Sequence, residues 1–176
     1  MLTTIIKHNT SEAHELRAIF EKQLRELYWA EKSIIPLLAT VIDNSTSNDL
    51  MEVIADHALE TVAQIARLEK IFTAIGIEIE TAEYKALKCF MAECEELIGH
   101  TKRGVVRDAG IISVLQKMKH YEIACYGTMR AFAIALREED VVTLLEETLI
   151  EEKNTDMLLS EIAEAHINIE AADKEI

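Results

Sequence analysis

Residues 115–126 read LQKMKHYEIACY. At about 100° per residue, Leu115, Met118 and Tyr126 fall on one side of a helix, and Glu122 falls among them. Ile111, Met129 and Ala133 extend that apolar stripe in both directions. A helix with such a stripe buries it against other helices, and a carboxylate in the middle of it is costly to bury without a compensating charge. The fold therefore turns on whether other helices carry the same anomaly.

Three more do. Around Glu31, residues Phe20, Leu24, Leu27, Ile35, Leu38 and Ile42 lie within about 40° on the wheel. A second stripe runs Ile54, His57, Glu60, Gln64, Leu68, Ile71 and Ile75, so an imidazole, a carboxylate and an amide share an apolar face. The last places Val141, Leu145, Thr148, Leu159 and Ala163 around Glu152, with Asp156 one turn further along.

The helices themselves are delimited by polar breaks. The first runs from about Thr10 or Ser11, either one suited to cap a helix N-terminus, to Asp43, and stops at the tract Asn44-Ser45-Thr46-Ser47-Asn48. Pro36 within it removes a backbone donor and is expected to kink the helix. The second runs from about Asp49 to Ile75 and ends at Gly76, the third from near Asp108 to about Leu136, and the fourth from Asp140 to about Ile167. Short links make antiparallel hairpins of the first two and of the last two. The middle connection is long and holds a helical piece over about Ala82 to Ile98, enough to carry the chain along much of a helix of about 45 Å. Two hairpins joined by one long crossover form a ferritin-like four-helix bundle, expected over residues 10–167, with an N-terminal extension at 1–9 and a charged tail at 168–176.

Composition agrees. Hydrophobic residues make up 49% of the 176-residue chain, enough for one substantial core, while five glycines and one proline are too few for a loop-rich all-β design. Acidic residues outnumber basic ones by 32 to 18, a formal charge of −14, which repels nucleic acid and anionic lipid and offers carboxylates to cations. No segment approaches the roughly 18 apolar residues of a membrane span, and residues 1–10 contain no apolar run of signal-peptide length. Cys89, Cys94 and Cys125 are odd in number and form no metal-type pair, which suits a reducing compartment and a cytoplasmic location. Each is expected to be a small buried hydrophobe.

Depth brings the four carboxylates together. Glu31 lies fifteen residues before Thr46 and Glu60 fourteen after it, so they face each other across the first hairpin. Glu122 lies sixteen before Glu138 and Glu152 fourteen after, which does the same in the second hairpin. Four carboxylates converging in a dry core need positive charge. Divalent Fe or Mn takes carboxylate oxygen plus imidazole, and thiolates are absent from these stripes. The ligand set is then Glu31, Glu60, Glu122 and Glu152, with His57 and Asp156 as second ligands, in a two-ion site. Singly, His57 also reads as a satisfied core histidine and Asp156 as a salt-bridging boundary residue. Gln64 fits a hydrogen-bond donor to the site or a boundary position, and Tyr28 and Tyr126 fit either donors to its carboxylates or ordinary core packing. His120 points outward and His166 is too distant to share the metals.

The strings Leu27-Tyr28-Trp29-Ala30-Glu31-Lys32, His57-Ala58-Leu59-Glu60-Thr61, Val106-Arg107-Asp108-Ala109, His120 to Thr128 (HYEIACYGT) and Glu151 to Asp156 (EEKNTD) resemble the YciE/YciF-type ferritin-like family of bacterial stress-associated proteins. The resemblance spans about Leu16 to Ala163 and implies a rubrerythrin-like core, a homodimer and a two-metal site on the residues named above. Such a site suits dioxygen or peroxide as substrate, since bridging carboxylates hold two metals about 3.5–4 Å apart. Two departures stand out: a crossover about five residues shorter than in familiar members, and Lys119 where the family has Glu. The Lys119 ammonium can occupy or border a ligand's place, which opens an alternative: a non-catalytic dimeric helical scaffold in which Lys119 replaces the metal's charge. Trp29 and Ile150, apolar but off their own helices' stripes, are the surface expected of such a scaffold.

Overall fold

The computed structural model describes residues 11–173. Four long helices, α1 (Ser11–Asn44), α2 (Asn48–Ile75), α4 (Val105–Leu136) and α5 (Glu139–Ile162), form the bundle, and α3 (Lys85–His100) lies within the crossover. Neighbours contact in the ring order α1, α2, α5, α4, which is the ferritin-like arrangement of two antiparallel hairpins. Among the described residues no strand occurs, and no helix is long and apolar enough to cross a membrane. The extension expected at residues 1–9 lies outside the described residues.

Local chemistry sets the helix ends. Ser47 caps α2 by accepting a hydrogen bond from the Leu50 amide, and Gly76 ends that helix in the left-handed conformation (φ 73°) that favours glycine. Helix α1 runs through Pro36 without a break. Helix α4 starts at Val105, three residues before the expected Asp108, so Asp108 lies within its first turn. Its buried carboxylate accepts from the Thr46 and Ser47 amides (3.0 and 2.9 Å) and from the Thr46 hydroxyl (2.5 Å), so the first turn of α4 clamps the α1–α2 turn. Gly110 lets α3 lie close on α4: a Cβ there would stand 2.9 Å from the Leu97 side chain. The chain beyond Ile162 stays helical, through a π turn (Ala163–Ile167) and α6 (Asn168–Asp173), and α6 packs on α4. Residues 168–173 of the expected tail are therefore an ordered part of the bundle's flank.

The buried stripes repeat every 3.5 residues rather than 3.6. Helix α1 buries Phe20, Leu24, Leu27, Glu31, Ile34, Leu38 and Val41, and α2 buries Leu50, Ile54, His57, Thr61, Gln64, Leu68 and Ile71. That period keeps one seam facing the bundle axis over the whole helix. Ile35 and Ile42, placed in the core by a 100° wheel, are only half-buried, and Ile34 and Val41 take their positions. Trp29 is half-buried against the core rather than exposed, whereas Ile150 is 53% exposed. Of the cysteines, Cys94 is buried, Cys125 half-buried and Cys89 exposed, so burial fails for Cys89.

Candidate metal centre

The apolar core is split in two. One cluster gathers Ile34, Leu38, Leu50, Ile54, Ile111, Leu115 and Met118, the other Phe20, Leu24, Leu27, Leu68, Tyr126, Met129 and Leu145. Between them lies a buried polar layer that takes one or more side chains from each long helix: Glu31, His57, Gln64, Lys119, Glu122 and Glu152.

Lys119 stands at its centre. Its Nζ lies 2.5 Å from Glu152 Oε2, 2.6 Å from Glu122 Oε2 and 2.8 Å from His57 Nε2. Glu122 and Glu152 offer carboxylate oxygens and His57 a ring nitrogen, all within 4.8 Å of one another, which is a metal-type donor set. Glu31 joins the layer from α1 and accepts a hydrogen bond from the Tyr126 hydroxyl at 2.6 Å. Gln64 donates to Glu152 Oε1 at 2.9 Å and to Glu151 at 3.1 Å. Arg67 closes the layer from outside by binding Glu151 with both guanidinium ends, 2.6 and 2.5 Å.

Glu60 and Asp156 fall outside this group. Glu60 is half-buried and accepts from Thr155 at 3.3 Å. Asp156 pairs with exposed His120 at 3.2 Å, its boundary reading. Both sit one residue away from the 3.5-residue seam, whose positions are taken by Thr61 and Thr155, both buried. Tyr126 bonds a site carboxylate, whereas Tyr28 donates to Glu69 at 2.8 Å on the bundle's side. His166 pairs with Asp49 at 3.5 Å, far from the layer.

The charge balance follows from burial and Lys119. Burial pushes the Glu31 carboxyl up to about 8, with the nearby Glu152 charge adding to it. Burial likewise raises Glu122 well above the carboxylate range. Glu152 behaves oppositely: burial opposes its charge, but the Lys119 ammonium and His57 hold it below the usual value. For Lys119 burial also works against the charge, and Glu122, Glu152 and Glu31 outweigh it, so the ammonium persists above its ordinary range. His57 is driven down to about 3 by burial and by Lys119, and is a neutral imidazole. The Lys119 ammonium with the Glu152 carboxylate is thus the layer's firmest ion pair, while burial favours the protonated form of Glu31 and Glu122.

Two divalent ions do not fit this layer with Lys119 in place. The ammonium fills the point on which the three donors converge and brings its own positive charge to them. Lys119 was legible in the sequence as a departure from the family pattern, while the roles of Asp108 and Thr155 were not.

A ferritin-like bundle with a lysine-centred carboxylate layer is the class these observations define. The chain belongs to the family described as Domain of unknown function (DUF892), whose model matches residues 15–172. It is 34% identical over 157 residues to the protein YciF of Escherichia coli K12, covering 89% of this chain and 95% of that one. Its fold matches the crystal structure of that E. coli stress protein with a TM-score of 0.83 at 33% identity, covering 87% of this chain and 97% of the other. YcfI of Rhodopseudomonas palustris, described as a candidate structural protein, matches with a TM-score of 0.81 at 31% identity over 91% and 98% of the two chains. A protein of Xanthomonas campestris pv. campestris shares the fold at 20% identity, with a TM-score of 0.72 over 92% and 99%.

Proposed function

We propose that this chain is a non-catalytic, homodimeric helical scaffold acting in stress protection in the cytoplasm, and that the Lys119 ammonium does in its core what metal ions do in ferritin-like enzymes. The observation that carries this reading is the position of Lys119 Nζ, 2.5–2.8 Å from Glu152, Glu122 and His57. A permanent internal cation balances the layer without depending on metal supply, so the bundle folds to the same core in metal-replete and metal-starved cells. The relatives support the reading at a coarser level, one being a stress protein and another described as a candidate structural protein.

The test is metal content. Protein purified without chelators and then reconstituted with Fe or Mn is expected to retain neither at stoichiometric level, while Lys119→Glu gains tight binding by adding a fourth carboxylate donor and removing the competing charge. Wild type carrying two ions per chain overturns the proposal.

A second reading, a two-ion Fe or Mn site acting on dioxygen or peroxide, has one feature in its favour. Glu31 Oε2 and His57 Nδ1 are buried polar atoms without a hydrogen-bond partner, the kind of spare donor a metal takes. It requires the Lys119 side chain to withdraw from the layer, and wild-type metal content decides between the two.

A further inference from the structure

Two of the four tyrosines, Tyr84 and Tyr121, meet on the flank of the bundle where the crossover lies against α4. Tyr84 immediately precedes α3, and Tyr121 and Cys125 stand one turn apart on α4. The two rings pack with centroids 5.1 Å apart at 49°, and Phe90 of α3 lies against Tyr121 at 5.9 Å. The Tyr84 hydroxyl is 3.2 Å from Cys125 Sγ, a contact in which either group can donate. All three side chains are half-buried, so each is held by packing and still borders solvent. Tyr84 packs on the core cluster that holds Ile34 and Met118, and Cys125 on the cluster that holds Tyr126 and Met129, so the spot bridges the two halves of the core.

Phenols and thiols are among the side chains that most readily give up a single electron or hydrogen atom, and here one of each is in contact. Burial raises both Tyr84 and Cys125 above their ordinary ranges, and the Glu122 and Glu26 charges add to the rise at Cys125. Both groups therefore keep their hydrogen at neutral pH. That closes one route of oxidation and leaves another. Two-electron attack by peroxide needs a thiolate, which Cys125 is not. Oxidation by a radical needs a hydrogen atom to abstract, and both groups carry one.

We propose that Tyr84 and Cys125 form a radical-quenching relay, which passes one oxidising equivalent from a peroxide-derived radical through Tyr84 to Cys125 and from there to a small soluble thiol. The radical takes the phenolic hydrogen atom of Tyr84, becomes a closed-shell product and leaves a phenoxyl radical. The phenoxyl oxygen then takes the hydrogen atom of the Cys125 S–H across the 3.2 Å contact, so the O–H bond re-forms as the S–H bond breaks. A small thiol gives its own hydrogen atom to the Cys125 sulfur and departs as a thiyl radical. One oxidising equivalent enters with the first radical and leaves on the small thiol, and the protein ends unchanged. The relay uses neither Lys119 nor the carboxylates of the layer, so it goes beyond the scaffold reading and does not depend on it.

Pulse radiolysis of the full chain in azide solution tests it. The azidyl radical takes the electron and becomes azide, the phenolic proton goes to water, and the phenoxyl absorption is followed in time. Wild type is expected to show a fast decay of that absorption. Cys125→Ala and Tyr84→Phe, each checked for fold by circular dichroism, lose the fast phase, while Tyr28→Phe, whose phenol bonds Glu69 away from this spot, keeps it. A spin trap present during irradiation is expected on Cys125 of wild type by peptide mass spectrometry, and to be lost from Cys125 in Tyr84→Phe. With excess cysteamine as the small thiol, wild type keeps Tyr84 and Cys125 at their unmodified masses, whereas Cys125→Ala accumulates oxidised Tyr84. A fast phase that survives Cys125→Ala or depends on Tyr28 overturns the relay. So does equal trapping on Cys125 with and without Tyr84, or equal oxidation of Tyr84 with and without Cys125 in the presence of cysteamine.

Discussion

Replacing Lys119 with Met removes the ammonium and keeps most of the side chain's volume. It leaves Glu152, with no exposed surface, facing an apolar neighbour where its cation had been. Breaking a buried pair by deleting one partner costs about 3–5 kcal/mol. For a chain of this size that lowers the melting temperature by about 6–20 °C. The pH dependence separates a lost charge from lost packing. In wild type Glu152 sits below the ordinary carboxylate value, so its stabilisation is present above the unfolded value and is lost only as pH falls through the lower folded one. Without Lys119, its largest stabilising charge is gone and burial, the largest single influence on Glu152, raises it. The folded variant then holds a proton that the unfolded chain has released. From about pH 8 down to about pH 5 the variant therefore recovers stability relative to wild type, by up to about 1.4 kcal/mol per pH unit. Urea unfolding of both proteins across this range measures the difference, and Lys119→Met/Glu152→Gln, which removes both charges, should recover most of the loss at pH 7. A Lys119→Met protein within about 1 kcal/mol of wild type at pH 7, with a parallel pH profile, refutes the charge balance described above.

Three other substitutions test separate parts of the structure. Asp108→Ala strips three acceptor contacts from the Thr46–Ser47 turn and should cost about 2–4 kcal/mol, with faster amide exchange at Thr46 and Ser47 as the local signature. Tyr126→Phe removes the donor to Glu31 and should cost about 1–3 kcal/mol, while the protonated-carboxyl infrared band of Glu31 persists to higher pH because the hydrogen bond no longer favours its charged form. Glu60→Ala and Asp156→Ala should each change stability by less than about 1 kcal/mol in chemical denaturation. Losses as large as those of a Glu152 variant would put Glu60 and Asp156 inside the buried layer after all.

The four long helices, the crossover and the meeting of Glu31, Glu122 and Glu152 were readable because each is signalled by a pattern longer than one turn. Polar breaks at Asn44 to Asn48 and at Gly76, and apolar stripes several turns long, outweigh errors of a residue or two. His57 was readable for the same reason, since it lies on the seam of α2 under either period. Glu60 and Asp156 were placed with the other ligands by a wheel of 3.6 residues per turn. Supercoiled helices bury a 3.5-residue seam, and the difference rotates the core face by about 20° per heptad. That is enough to exchange a position for its neighbour, so Thr61 and Thr155 are buried where Glu60 and Asp156 were expected. Asp108 was read only as a helix start, because its role depends on a turn some sixty residues away, a contact that no local pattern announces.

Lys119 carries the last step. Three residues before Glu122 on α4, it reaches the same point of the layer from the same helix. A glutamate at that position would add a fourth carboxyl donor in place of the cation, and the layer's stability is then expected to depend on metal. A lysine there reverses the sign of one group, and the layer's charge changes by two. That difference equals the charge of one divalent ion, although the ammonium held by Glu152, Glu122 and His57 itself carries a single positive charge. The residue that identifies the metal-type layer and the residue that fills it are thus separated by one turn of one helix. The expectation for a related chain that keeps His57, Glu122 and Glu152 is that its need for metal follows this single position. The Lys119→Glu variant tests that rule in both directions: it should lose stability without metal and regain it on adding Fe or Mn. A Lys119→Glu protein equally stable with and without either ion would show that charge at this position does not govern the layer.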